Sequence, residues 1–216
     1  MACRFTADNC SLASTALPNH AVWTWCAWVK LSTDRNTFQC VIDIVDGAGE
    51  FYFETTSDGV TWSFNNGVSV TTMSAAQVGA WYFLAMRKNG AALGSPLDGL
   101  MSGPDGRGAL VKTSATTGVT STGTTNLRIG KEEFNASTFP DGCISYFKLW
   151  EAALTDDELL AEMWQGMPMR TKDLWAFWPM ITPREANLDF GPTRGRHLTF
   201  GTTALILEQG PPVGWA

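Results

Sequence analysis

Between Val22 and Leu31 the chain reads VWTWCAWVKL. Strict alternation places Trp23, Trp25, Ala27, Val29 and Leu31 on one face and Val22, Thr24, Cys26, Trp28 and Lys30 on the other. Side chains of a strand point to opposite sides in turn, so large aromatics on both faces need apolar cover on both. The segment is expected to be a central strand, covered on both sides for much of its length.

Further short strands follow, each closed by turn residues. Cys40 to Val45 ends at Asp46-Gly47, Glu50 to Thr55 near Asp58-Gly59, and Val60 to Phe64 at Asn65-Asn66-Gly67. Val68 to Thr72 continues the meander, and Ala80 to Lys88 ends at Asn89-Gly90, a tight-hairpin dipeptide. Strands at such short, regular intervals indicate a sandwich or barrel rather than α/β units. Ala91 to Gly108, rich in Pro and Gly, reads as a remodelled loop, and Val119 as part of a further strand in a Thr-rich stretch.

Leu127 to Met163 condenses the pattern: a strand ending at Gly130, the turn dipeptide Asp141-Gly142, an alternating strand Cys143 to Trp150, and a capped helix. Thr155-Asp-Asp-Glu158 is a capping box, in which the Thr hydroxyl and the Glu carboxylate each take a backbone amide. Leu159, Leu160, Met163 and Trp164 form the stripe that would dock this helix on a sheet.

Composition narrows the function. At 216 residues with 44% hydrophobic side chains, ten Trp and twelve Phe, the chain can fill one large β domain. Its net charge of −6 and lack of any basic run argue against nucleic acid, whose phosphates require clustered Lys and Arg. MACRFTADNCSLAS has neither an apolar core nor a preceding positive cluster, so no signal peptide is expected, and no apolar run long enough to span a membrane occurs. Five Cys (3, 10, 26, 40 and 143) form no CxxC pair and no Cys/His knuckle, which argues against zinc. The odd count favours free thiols over a Cys3–Cys10 bridge, with Cys26 and Cys143 as small buried apolar groups.

In its order of strand, Asp-Gly, strand and W-x-x-A-L-T-D-x-E-L, the 127–163 segment resembles the closing part of laminin-G-like, concanavalin A-like β-sandwich domains. Cys26-Ala-Trp-Val-Lys30 is similar to that family's S-A-W-V-K strand, and Ala80-Trp-Tyr-Phe-Leu to its W-Y-H-V-A strand. The opening strand departs from the family, with Ala7-Asp8-Asn9 where Gly-Asp-Asp is usual. The resemblance implies an all-β fold: a two-sheet antiparallel jelly-roll sandwich with one short helix near residues 155–165. Residues 1–165 would form this sandwich. Residues 166–216 contain Trp178-Pro179, Asp189 and Gly195-Arg-His197, similar to a segment that usually precedes the first strand. They would complete the same sandwich or form an arm on a neighbouring subunit, ending in an extended Gly210-Pro-Pro-Val-Gly tail.

Hydrolases of this fold carry Glu-x-Asp-x-Glu on one strand; here the aligned positions are Val41, Asp43 and Val45, so the family mechanism is absent and no enzyme is expected. Neither His20 nor His197 accompanies a nucleophile elbow, and His197 reads as a turn residue bonding locally. Relatives often bind calcium at the rim. Candidates by chemistry are Asp46, Asp58, Asn65, Asp98 and Asp141, each also a favoured turn residue, so no cofactor is assigned. For a glycan, Trp62 beside Asn65 and Asn66 is the local platform with amides. Low charge, Thr/Gly/Trp-rich strands and the tail point to a non-enzymatic bacteriophage virion protein, a capsid decoration or else a tail or fibre component. It would be assembled in the host cytoplasm as a homo-oligomer against other virion subunits. The alternative is a glycan-binding module, with calcium or without it.

Overall fold

The computed structural model describes residues 1–5, 10–12, 21–46, 49–121, 124–130, 141–182, 187–192, 195–200 and 206–213. The turn at Gly47, the variant 7–9 motif, His20 and the end of the tail lie outside them. In chain order the strands are β1 (Ala2–Phe5), β2 (Cys10–Leu12), β3 (Val22–Leu31), β4 (Cys40–Asp46), β5 (Gly49–Thr55), β6 (Thr61–Asn65), β7 (Val70–Ala75) and β8 (Trp81–Asn89). They continue with β9 (Pro96–Met101), β10 (Val111–Thr116), β11 (Thr124–Ile129), β12 (Gly142–Trp150), β13 (Leu174–Trp178), β14 (Thr199–Phe200) and β15 (Ile206–Glu208). The α-helix α1 (Asp156–Met163) lies between β12 and β13.

Two antiparallel sheets face each other. The eight-stranded sheet runs β10-β9-β8-β3-β12-β1-β15, with β13 also paired to β12; the seven-stranded sheet runs β14-β2-β11-β4-β5-β6-β7. β3 is central, held between β8 and β12, and is buried along nearly all its length as its two aromatic faces require. Its Trp23, Trp25, Ala27, Val29 and Leu31 enter the core between the sheets. There Trp25 stacks on Phe147 at 5.8 Å and meets Phe53 edge-on at 5.5 Å. Such pairs add roughly 0.5–1.5 kcal/mol each beyond the area they bury.

The outer face of the eight-stranded sheet carries a second apolar layer: Cys26, Trp28, Phe83, Trp150, Leu154, Leu159, Met163 and Phe177. α1 covers it. The capping box forms, with the Thr155 hydroxyl accepting from Glu158 N and the Glu158 carboxylate from Thr155 N. Leu159 and Met163 are buried, but Leu160 and Trp164 are not, so the docking stripe is narrower than its spacing suggested. The helix is pinned by polar bonds instead. Trp28 Nε1 donates to Met163 O at 2.9 Å, and Lys148 Nζ, fully buried, bonds Glu162 Oε2 at 2.7 Å.

Two local expectations need correcting. The 91–108 stretch contains β9, and the Thr-rich stretch forms β10, so the meander β8-β9-β10 continues to the sheet edge. Val119 belongs to no strand and packs partly buried on the core. Beyond residue 166, the described strands return to both sheets of the same chain: β13 beside β12, β14 beside β2 and β15 beside β1. β12 serves β1 with Gly142–Ile144 and β13 with Phe147–Trp150. Between these runs Tyr146 adopts a left-handed φ of 53° and donates its N–H to Pro179 O. This is a bulge that lets one strand change partners. Val213 packs against the outer apolar layer of its own chain. Cys3, Cys26, Cys40 and Cys143 are free thiols and buried.

Candidate functional site

On β5, Phe51 and Phe53 enter the core, so Glu50, Tyr52 and Glu54 stand on the face turned away from it. The register carries that face across the sheet. Asp43 of β4 lies opposite Tyr52 on one side and Arg128 of β11 on the other. One row along, Val45 lies between Glu50 and Asn126; beyond Tyr52, Glu54 is opposite Ser63. Directly opposed side chains are about 5 Å apart at Cβ. The result is a polar band over three strands, Arg128–Asp43–Tyr52, flanked by Asn126, Glu50, Glu54 and Ser63. Tyr52, Glu50, Asn126 and Arg128 are half-buried, whereas Asp43, Glu54 and Ser63 are buried.

A phenol ring among carboxylates, an amide and a guanidinium provides an amphipathic platform with acceptors and donors on either side. That set suits a ligand with a C–H face and many hydroxyls. Asp43 is directly opposed by Tyr52 and Arg128, not by a second carboxylate, and its own strand offers only Val41 and Val45 in line. The single-strand arrangement of hydrolytic carboxylates is therefore missing here.

The expected platform residue is displaced. Trp62 is 0% exposed and packs on Phe53 in the core, so it presents no ring to a ligand. The reason is register: in Thr61-Trp-Ser-Phe-Asn65 the aromatic positions face inward and Thr61, Ser63 and Asn65 outward. Asn65 and Asn66 are spent on the turn. Asn65 Oδ1 accepts from Gly67 N at 2.6 Å; Asn66 Oδ1 accepts from Ser69 N at 2.9 Å and Asn66 Nδ2 donates to Thr116 O. On β5 and β6 the outer-face aromatic is Tyr52, not Trp62. The alternation Glu50-Phe-Tyr-Phe-Glu54 carried that signal, with its polar members two residues apart.

Each rim residue considered for calcium has partners within the chain. Asp58 accepts from Val60 N, Thr61 N and the Thr56 and Thr61 hydroxyls, and the Thr61 bonds hold its carboxyl well below the usual carboxylate range. Asp98 pairs with Arg87 at 2.6 Å and accepts from Ser114; Asp46 lies 3.9 Å from the buried Lys88 and accepts from Ser121. Burial would raise the Asp141 carboxyl, yet Thr33 at 2.8 Å and Arg35 at 3.1 Å together hold it below its ordinary value. His197 Nδ1 accepts from Asp189 N, a local bond within its turn.

Comparison with known proteins places this architecture. Residues 5–160 match the family Laminin_G_3, described as the concanavalin A-like lectin/glucanases superfamily. The chain belongs to that family. No curated protein matches the sequence. Among solved structures, this concanavalin A-like chain is similar to a putative carbohydrate binding protein from Bacteroides ovatus, with TM-score 0.66 and 14% identity over 98% of the chain. The chain spans 62% of that protein's length. It is also similar to a heptameric SAP-like pentraxin from Limulus polyphemus, with TM-score 0.55, 15% identity and coverage of 74% and 79% of the two chains. The enzymatically active domain of tailspike protein 2 of bacteriophage CBA120 gives TM-score 0.59 and 10% identity over 79% of this chain and 28% of that domain. At such identities the likeness concerns the fold, a lectin-like jelly roll.

Proposed function

We propose that this concanavalin A-like sandwich binds a glycan across β11, β4 and β5 and does not cleave it. The observation that supports this most is the Arg128–Asp43–Tyr52 band: an aromatic between a carboxylate and flanking polar groups, on the sheet face turned away from the core. Tyr52 supplies the stacking surface, Glu50 accepts from hydroxyls, and Asn126 and Arg128 donate, while the buried Asp43 lies between Tyr52 and Arg128 in the register. Glycan-array screening followed by calorimetry tests the reading. Tyr52→Ala should weaken binding roughly thirtyfold, the ~2 kcal/mol typical of an aromatic anchor, with Tm unchanged. A wild-type chain that binds no glycan, or a Tyr52→Ala protein that binds as tightly, would refute the site. Release of reducing ends from bound oligosaccharide would refute the non-enzymatic role.

A second reading concerns where such a module works. Leu160, Trp164, Met167 and Met169 lie within ten residues of one another and are 41–61% exposed, an apolar run of the kind that marks association surfaces. This supports a subunit of a bacteriophage particle, a decoration, tail or fibre protein assembled in the host cytoplasm beside other virion proteins. Glycan binding outward and subunit contact inward are compatible. Light scattering on purified protein should give a trimer or larger species, unchanged by EDTA. A monomer at all concentrations would contradict the subunit reading.

A further inference from the structure

On the opposite side of the sandwich, the outer face of the eight-stranded sheet holds a cavity of about 470 Å³ lined by Lys30, Trp81, Asp105, Gln209, Pro211 and Pro212, with Gly79 and Gly210 at its margins. Its volume lies within the roughly 300–1,000 Å³ usual for small-ligand sites. Three separate parts of the chain build it: paired positions of β3 and β8, the turn after β9, and the segment after β15.

The chemistry of the walls is specific. Lys30 is directly opposite Trp81 in the register, and its Nζ sits 5.4 Å from the indole centroid while ion-paired to Glu208. Burial would raise the Glu208 carboxyl, but Lys30 with Cys143 and Arg4 holds it below its ordinary value, and the ion pair fixes the ammonium over the ring. Asp105, in a left-handed conformation with φ 52°, turns its carboxylate back to the sheet, where Oδ1 accepts from Trp81 N at 3.1 Å. Its Oδ2 and the side-chain amide of exposed Gln209 make no hydrogen bond among the described residues. Pro211 and Pro212 add apolar lining to the same cavity.

We infer that this cavity is a second saccharide site, taking one neutral sugar residue. A carboxylate oxygen accepts from vicinal hydroxyls, the Gln209 amide and Lys30 ammonium donate to sugar oxygens, and the indole edge and prolines contact the C–H face. Because Lys30 is already paired with Glu208 and Asp105 adds a further negative charge, an anionic sugar gains no uncompensated cation. With the Tyr52 band on the opposite sheet, the chain then carries two sites facing away from each other.

Two-dimensional NMR of the full chain, titrated with a panel of neutral monosaccharides and with a uronic acid, tests this site. The expected result is that a neutral sugar shifts the Gln209 side-chain amide and the Trp81 indole signal, in wild type and in Tyr52→Ala alike. Asp105→Ala and Gln209→Ala, both at exposed positions, should each reduce the apparent affinity at least tenfold and leave the remaining spectrum in place. Shifts confined to the Tyr52 face would overturn the second site while leaving the first intact. Shifts at Gln209 with the uronic acid as strong as with its neutral counterpart would overturn the neutral class. Loss of all binding in Tyr52→Ala would overturn the independence of the two sites.

Discussion

Lys148→Ala should destabilise the protein by about 3–5 kcal/mol and release α1 from the sheet, because it strands a buried carboxylate. Lys148 and Glu162 side chains are each 1% exposed. Lys148 Nζ bonds Glu162 Oε2 at 2.7 Å, the Glu162 carbonyl at 3.2 Å and the Gln165 carbonyl at 2.8 Å, which satisfies the end of the helix. The other Glu162 oxygen accepts from Met169 N at 2.8 Å and Arg170 N at 2.7 Å, fixing the chain that leads toward β13. One ammonium therefore ties strand, helix and the returning segment together. Urea denaturation measures the loss, and hydrogen exchange should show amides 159–170 losing protection before those of β3. The double variant Lys148→Met/Glu162→Leu removes both charges and should recover much of the stability. A single-variant loss under about 1 kcal/mol would mean the pair is solvated in solution.

Gly142→Ala should be comparably damaging, at about 3 kcal/mol or more, for a different reason. Read as part of an Asp-Gly turn, this glycine would serve a left-handed backbone, yet it is the first residue of β12 and has no positive φ. Its role is close approach. A Cβ at this position would stand 2.0 Å from the Lys30 carbonyl oxygen and 3.1 Å from Leu31 Cα, both backbone atoms of the neighbouring strand. Gly142 pairs with Leu31 on one side and Phe5 on the other, so relieving the clash means parting β3, β12 and β1. Gly79→Ala is the informative control: its φ is +88° but nothing lies within 4 Å of a Cβ there. It should cost only the ~1–2 kcal/mol of a left-handed residue. Thermal melts that rank Gly79→Ala as the worse variant would overturn the close-approach account.

How much was legible follows from what each pattern encodes. Alternation in β3 carried its central position because aromatics on both faces leave no alternative, and Thr155 with Glu158 marked the helix start because the capping box is local chemistry. Trp62 and Tyr52 are the instructive pair. Period-two reading separates a strand into two faces but does not say which one meets the other sheet, so it points as readily to the inward Trp62 as to the outward Tyr52. Phe51 and Phe53 on the next strand decide the matter only once pairing is known. Nothing local in Tyr-Phe-Lys148-Leu-Trp announces that α1 will fold over the lysine. The Lys30–Trp81–Asp105 cavity was invisible for the same reason: its walls come from segments brought together by β3–β8 pairing and by β15.

That pairing of β15 with β1, and of β14 with β2, sets the order in which the molecule can be made. The runs β4-β5-β6-β7 and β8-β9-β10 join sequence neighbours and can form as soon as they leave the ribosome. β1 and β2 precede the other strands named here but must wait for Ile206–Glu208 and Thr199–Phe200 before they have their outer neighbours. Throughout synthesis the nascent chain therefore exposes two unfinished sheet edges. Covering the β1 edge is tied to translation of β15, and a ribosome stalled short of it holds a product that seeks strands from other chains.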